Sequence, residues 1–305
     1  MAFTVVELTP TIFHLQSGAN SGLIRTGSGA ILIDAGLDDD AGKKIKKTLE
    51  SLGLTLHTLI ITHAHADHFG GAAYLRKTLP PFTVYAPAIE SALIQNPILE
   101  GIFLSAGALP FDALTGKFTR AGACQVDQEL QDGFLQIGEV RLIAHPIPGH
   151  SPNQKAIQVE EVWFTADAFF PAETLRKYPV PFLVHIGQTL TTLEQLLAVA
   201  GTSAICAPGH GVQLTGSALV EVIQTNQSAI HAVLDQIERL IADSPNGLDE
   251  GTLTQSICKA LGDPLATPVS YYLARSTIQA GLVYHYEQGR IKWANVSGRL
   301  VWVKS

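Results

Sequence analysis

The sequence predicts an α/β fold: a four-layer αββα sandwich followed by a small, mainly helical C-terminal domain. Each half of the first two thirds carries a hairpin of apolar and β-branched residues that runs into an aspartate, with helical periodicity after it. Beyond about residue 217 the texture changes to apolar residues at three- and four-residue steps. The predicted division is 1–216 for the sandwich, with a helical insertion at 87–121, and 217–305 for the C-terminal domain.

In the first half, residues 20–34 read as two strands joined at Gly27-Ser28-Gly29, the second ending on Asp34. A helix follows with Asp38, Asp39 and Asp40 at its positive end, Ile45, Leu49 and Leu52 on one face, and Gly53 as the stop. Residues 57–62 form a short buried strand, Gly70-Gly71 opens a helix through Leu79, and residues 82–86 return as a strand. The insertion is rich in Ile94, Ile98, Ile102, Phe103, Leu104, Leu109 and Phe111, which suits extra core better than a lid over a pocket.

In the second half, residues 156–159 and 162–165 flank Glu160-Glu161 and lead into Asp167; 192–200 is a helix and 204–207 a strand. The C-terminal region gives a long helix to Ser244-Pro245-Asn246-Gly247, a short one over 252–261, and a third from Thr267-Pro268 to Gln288. Two small strands close the chain. No low-complexity linker precedes this region, so it should pack on the sandwich. Leu273, Ile278, Leu282 and Trp293 need a partner surface, either the sandwich or a second subunit of a homodimer.

Composition narrows the function. The chain has 305 residues, 46% hydrophobic and 15% charged, with a formal net charge of −7. That balance fits an enzyme and speaks against general nucleic-acid binding. No segment reaches the roughly 18 apolar residues of a membrane helix, and no signal peptide is evident. Cys124, Cys206 and Cys258 are widely spaced with no C-x-x-C pair, as expected of reduced thiols in a cytoplasmic protein.

The histidines carry the chemistry. Thr62-His63-Ala64-His65-Ala66-Asp67-His68 follows directly on a buried strand. Three imidazoles and a carboxylate so close together are costly to bury unless a metal satisfies them jointly. Pro148-Gly149-His150-Ser151, the strand-end Asp167, and Pro208-Gly209-His210-Gly211 supply further ligand types in turns. Asp34 either orients the histidine loop by hydrogen bonds or merely caps its strand. His185, in a Pro-rich loop, is a substrate contact or an exposed loop residue. His14, His57, His145, His231 and His285 read as structural or surface residues, and Asn20 lies near the pocket without an assigned role.

On these motifs, over about residues 5–215, the chain resembles the metallo-β-lactamase superfamily and its glyoxalase II-like branch. The resemblance implies His63, His65 and His150 around one divalent ion, and Asp67, His68 and His210 around a second, with Asp167 bridging them. Such ions, about 3.5–4 Å apart, share a hydroxide that attacks the substrate, aided by Asp67 and Asp167. Nitrogen and oxygen donors without thiolate admit zinc first, and iron or manganese as alternatives. The H-x-H-x-D-H run and the missing Cys ligand separate the chain from the secreted β-lactamases.

The expected activity is hydrolysis of a small-molecule thioester or lactone. After His150 the chain reads Ser-Pro-Asn-Gln, where glyoxalase II-like proteins usually continue to Gly, so glutathione thioester specificity is in doubt. Phosphodiesterase or nuclease action and iron-dependent persulfide dioxygenation are the competing chemistries. Residues 278–293 resemble the last helix and wing of a winged helix. A winged-helix DNA-binding protein is therefore the non-enzymatic alternative, opposed by seven Lys and Arg against eight Asp and Glu over 218–305.

Overall fold

The computed structural model describes residues 3–305. One sheet has seven strands in chain order: β1 (Thr4–Glu7), β2 (Ile12–Gln16), β3 (Ser21–Thr26), β4 (Gly29–Ile33), β5 (Leu56–Ile60), β6 (Thr83–Ala86) and β7 (Gln128–Glu129). The first four pair antiparallel; β4 to β7 run parallel, with helices as crossovers. The second sheet comprises β8 (Gly133–Ile137), β9 (Val140–Pro146), β10 (Lys155–Val159), β11 (Val162–Ala166) and β12 (Ile205–Pro208). Only β11 and β12 are parallel there.

Alternation along the strands builds the four layers. Ile12, Ile24, Ile31, Ile33 and Ile60 meet Leu142, Ile157, Val159, Val162 and Phe164 between the sheets. The opposite face of the first sheet, Phe13, Leu15, Leu23, Leu32 and Leu59, is covered by helices α1 (Asp39–Ser51) and α3 (Ala72–Thr78). Between these lies the single turn α2 (Ala66–Phe69). Asp38 caps α1 by accepting the Asp40 and Ala41 N–H groups, as the acidic start of that segment suggested.

The insertion departs from the expected helical stretch. It holds α4 (Ala88–Gln95) and α5 (Ile98–Leu104), and beyond Leu104 only one 3₁₀ turn at Asp112–Leu114. Leu93, Ile94, Leu104 and Leu114 join the interior, whereas Phe103, Leu109, Phe111 and Phe118 are exposed. Of the seven apolar residues expected to serve as core, Ile94 and Leu104 are buried, Ile102 is half-buried, and Ile98, Phe103, Leu109 and Phe111 are exposed. Phe111 reaches across to Tyr272, with ring centroids 6.3 Å apart.

Two helices of the second half also differ from expectation. Residues 172–177 form α6 (Ala172–Lys177), and the next helix, α7 (Ile186–Ala200), starts six residues before Thr192. Its N-cap is His185, whose Nδ1 accepts the Gln188 N–H at 3.2 Å. His185 is thus a capping residue, half-buried at the helix start.

The C-terminal region contains α8 (Gly216–Ala242), α9 (Glu250–Leu261), α10 (Pro268–Glu287) and the hairpin β13 (Ile291–Val296) and β14 (Arg299–Lys304). Thr267 and Ser270 form a capping box around Pro268. Leu219, Ile223, Ile230 and Leu234 of α8 share one apolar cluster with Leu193 and Leu196 of α7, which makes the fourth layer. Among the described residues no helix is long and apolar enough to cross a membrane.

Candidate metal centre

All seven predicted ligands meet at the rim where strands of both sheets end. β5 stops at Ile60, and the chain turns through Thr62 and His63 into α2, bringing His63, His65, Asp67 and His68 around one point. His150 arrives from the turn between β9 and β10, Asp167 from the end of β11, and His210 from the end of β12. Potential ligand atoms fall into three groups, each within 4.8 Å: His63, His65 and His150; His63, His68 and Asp167; Asp67, His68 and His210. Asp167 stands centrally. Its Oδ2 lies 3.5 Å from His150 Nε2 and 3.2 Å from His210 Nε2, and its Oδ1 lies 3.3 Å from His68 Nε2. His210 Nε2 is also 3.4 Å from Asp67 Oδ2.

The outer nitrogens are fixed by hydrogen bonds that leave the inner ones free. His68 Nδ1 donates to Asp34 Oδ2 at 2.8 Å, His150 Nδ1 to the Phe182 carbonyl at 2.9 Å, and His210 Nδ1 to the Gly18 carbonyl at 2.7 Å. Thr62 Oγ1 gives its proton to Asp34 Oδ2 at 2.8 Å and so receives that of His63 Nδ1 at 3.1 Å. In the neutral form that a metal requires, the Nε2 of each of these four histidines presents a lone pair inward. The buried Nε2 atoms of His63, His68 and His150, with Asp167 Oδ1, find no hydrogen-bond partner. Orphaned acceptors converging on one point are the arrangement that divalent ions satisfy, so the residues present fit a metal pair.

Charge supports the same reading. Burial, reinforced by the charges of neighbouring histidines, holds His63 well below the usual imidazole range, and burial with His150 brings His65 to about 3. Burial opposes protonation of His68 and His210 as well. There Asp167, with Asp34 and Asp67 at His68 and Asp67 at His210, outweighs it, raising His68 and bringing His210 to about 10. Burial would raise Asp67, but His68 and His210 hold it at about 2. Without an ion, protons on the second histidine set balance the carboxylates.

Asp34 and three residues to which the sequence assigns no role, Asn20, Gln154 and Glu90, support the centre. Asp34, for which the sequence left two alternatives, accepts hydrogen bonds from His68 Nδ1 and Thr62 Oγ1. Besides His68 and Thr62 Oγ1 it accepts the Thr62 N–H at 2.8 Å, from a left-handed backbone with φ 58°. Asn20 ties the His210 loop by donating to the carbonyls of Pro208 (3.0 Å) and Gly211 (2.7 Å). Gln154 Oε1 accepts the Asp167 N–H at 3.3 Å. Glu90 accepts three bonds from the His63 and His150 loops. These partners are distant in sequence, so no local spacing reveals them.

Two phenylalanines flank the imidazoles. Phe182 lies 5.3 Å from His65 and 5.7 Å from His150, and Phe170 lies 5.4 Å from His150 and 6.2 Å from His210, centroid to centroid. Both are held by the C-terminal helices. Asn226 of α8 clasps the Phe170 backbone, accepting its N–H at 2.9 Å and donating to its carbonyl at 2.8 Å. Thr277 of α10 accepts the Leu183 N–H at 2.9 Å and donates to the Pro181 carbonyl at 2.8 Å.

Comparison with known proteins agrees with this geometry. Residues 16–222 match the metallo-beta-lactamase superfamily. The chain is 24% identical over 234 residues to the lactamase-like protein adaB of Aspergillus niger, covering 75% of this chain and 62% of that protein. It thus spans less than two thirds of that relative's length. A protein described as the atrochrysone carboxyl ACP thioesterase nsrC of Aspergillus novofumigatus is 24% identical over 258 residues, 82% of this chain and 67% of its own. A beta-lactamase domain protein from Burkholderia ambifaria superposes with a TM-score of 0.73 at 15% identity, covering 99% of this chain and 93% of that one. A metallo-beta-lactamase family protein from Thermus thermophilus gives 0.69 at 17% identity, covering 99% and 98%. At such identities the structural likeness shows the fold.

Proposed function

Because the chain belongs to the metallo-beta-lactamase superfamily, we propose that it is a binuclear metallohydrolase acting on a thioester, with a lactone as the alternative acyl substrate. The observation that carries the hydrolase reading is the convergence of the buried, unpartnered Nε2 atoms of His63, His68 and His150 around Asp167, with His210 Nε2 also 3.2 Å from its carboxylate. His63, His65 and His150 would hold one ion and Asp67, His68 and His210 the other, with Asp167 between them. The chemistry that two divalent ions held there (zinc from the donor set, or iron or manganese) would supply is polarisation of the acyl oxygen and a water pKa lowered to about 7.

The protein's own groups complete the site. Asp67 is the more exposed of the two central carboxylates and can accept a hydrogen bond from the attacking water at Oδ2. Asp167, buried and tied through its N–H to Gln154, keeps its carboxylate fixed between the two histidine sets. Phe170 and Phe182 exclude water on one side and offer apolar contact to an acyl group.

The thioester preference is supported by the name of one relative, an acyl-carrier thioesterase. The glyoxalase II-like branch remains our reading of the H-x-H-x-D-H run, without its glutathione specificity. We read residues 217–305 as a winged-helix-like module that does not bind nucleic acid. Arg290, at the start of the wing, pairs with Glu238 at 3.1 Å, and Arg299 pairs with Asp249 at 3.0 Å.

The test is a panel of acyl thioesters, lactones, phosphodiesters, β-lactams and persulfides offered to zinc-, manganese- and iron-loaded protein. Thioester or lactone turnover that disappears in Asp67→Asn is expected. Preferential phosphodiester cleavage, or oxygen consumption with persulfide, would replace the proposal with one of the competing chemistries.

A further inference from the structure

We propose that Glu90 is a positioning residue for one half of the metal centre only, the half built from His63, His65 and His150; the inference rests on the metal-binding reading above. Glu90 lies on the first turn of α4 and is 1% exposed, so its carboxylate has no access to solvent for compensation. It finds that compensation in two loops. Oε2 accepts the Ala64 N–H at 2.9 Å, and Oε1 accepts both Ser151 Oγ and the Asn153 N–H at 2.8 Å. Ala64 sits between His63 and His65, and Ser151 directly follows His150.

One side chain therefore fastens together two ligand loops that leave different sheets. Lys155 stands behind the second loop, its ammonium bonded to Asn153 Oδ1 at 2.7 Å and to Asp132 Oδ1 at 2.5 Å. The other half of the centre is braced differently: His68 by Asp34, and His210 by Gly18 and the Asn20 clasp on its loop. No bond of Glu90 reaches Asp67, His68 or His210. Loosening Glu90 should thus open the distance between His150 and the His63–His65 pair and leave the second set in place.

Glu90→Gln removes the symmetry on which the clasp depends. A carboxamide offers one acceptor oxygen, and its NH₂ must face either the Ala64 N–H or the Asn153 N–H. The experiment measures zinc dissociation constants by competition with a chromophoric chelator in two backgrounds of the full chain. His210→Ala leaves the first ligand set complete, and His65→Ala leaves the second. Adding Glu90→Gln should weaken zinc by about 10- to 100-fold in the His210→Ala background and by less than about threefold in the His65→Ala background, the range usual for lost outer partners of metal ligands.

Should Glu90→Gln fail to fold, Ser151→Ala removes one of the three bonds and must show the same selectivity at smaller size. Equal weakening in both backgrounds, or none in the first, overturns the inference. A single zinc equivalent on the wild-type chain would sink the two-ion reading instead, and the His210→Ala comparison would still decide the role of Glu90.

Discussion

At the scale of single residues, the centre works by dividing four imidazoles, those of His63, His68, His150 and His210, between an outer and an inner task. The outer Nδ1 bonds of His68, His150 and His210 choose the tautomer, and the inner Nε2 is left to bind. This makes loading a proton exchange. Against the effect of burial, Asp167 and Asp67 push His210 up to about 10 in the metal-free chain, so it carries a proton at pH 7 that an ion must displace, and the carboxylates around His68 act in the same direction. Zinc affinity should therefore rise with pH from about 6 to about 9. Calorimetry at pH 7 in buffers of different ionisation enthalpy should report at least about one proton released per chain. Release of none would contradict the charge balance described here.

His14 supplies the opposite sign. It is 1% exposed, its Nε2 bonded to the Pro208 carbonyl at 3.2 Å, and burial lowers its pKa to about 4. The unfolded chain protonates this residue near the ordinary imidazole value of 6.5, whereas the fold resists until about 4. Below pH 6.5 the unfolded state binds the extra proton, so stability falls with pH down to about 4 and then levels, by up to about 3 kcal/mol. Urea unfolding of the metal-free protein at pH 7.5 and 4.5 should show the loss, and His14→Gln should reduce it, leaving the share that the buried His63 and His65 contribute in the same direction. An unchanged pH slope in His14→Gln would remove His14 as the cause.

At the scale of elements, the centre depends on turns that admit no extra atoms. A Cβ on Gly209 would overlap Asp167 Oδ1 and approach His68 Cε1 to 2.7 Å, with backbone of Ala166 behind them at 3.2 Å. Gly209→Ala should consequently displace Asp167, cut zinc content to less than half and abolish turnover. Because the fault is local to the rim, circular dichroism should still show a folded chain; full zinc occupancy in Gly209→Ala would refute the packing argument.

The same elements show what a sequence can carry. The β3–β4 hairpin, the Asp38 cap and the His63–His68 run were legible because their determinants are local: turn residues, a capping acid and four ligands within one loop. The start of α7 was hidden by Pro179 and Pro181 just before it and by a histidine in the capping role. β8 is hard to see in the sequence because Gly133-Phe-Leu-Gln-Ile137 lies at the edge of its sheet with half-buried and exposed residues alternating, so apolar residues fall on both faces. Glu90, Asn20 and Thr277 act on loops far away in the chain, so nothing beside them in sequence marks their role.

At the scale of the whole molecule, the C-terminal helices and the metal centre form one mechanical unit. α8 covers α7 through Leu219, Ile223, Ile230 and Leu234, and α10 packs beside them with Ala280 in the same cluster. From that platform Thr277 fixes the loop between Pro181 and Leu183, and the intervening Phe182 offers its carbonyl to His150 and its ring to His65. Thr277→Val keeps the shape but leaves the buried Leu183 N–H and the Pro181 carbonyl without that partner, which costs roughly 1–3 kcal/mol if nothing replaces it. The loop should then loosen. We expect a lower melting temperature together with a raised KM for apolar acyl substrates, because the Phe182 wall is displaced. Thr277→Ser, which retains the hydroxyl, should restore KM. A variant whose stability drops while KM and zinc affinity stay at wild-type values would show that these helices support the fold without shaping the site.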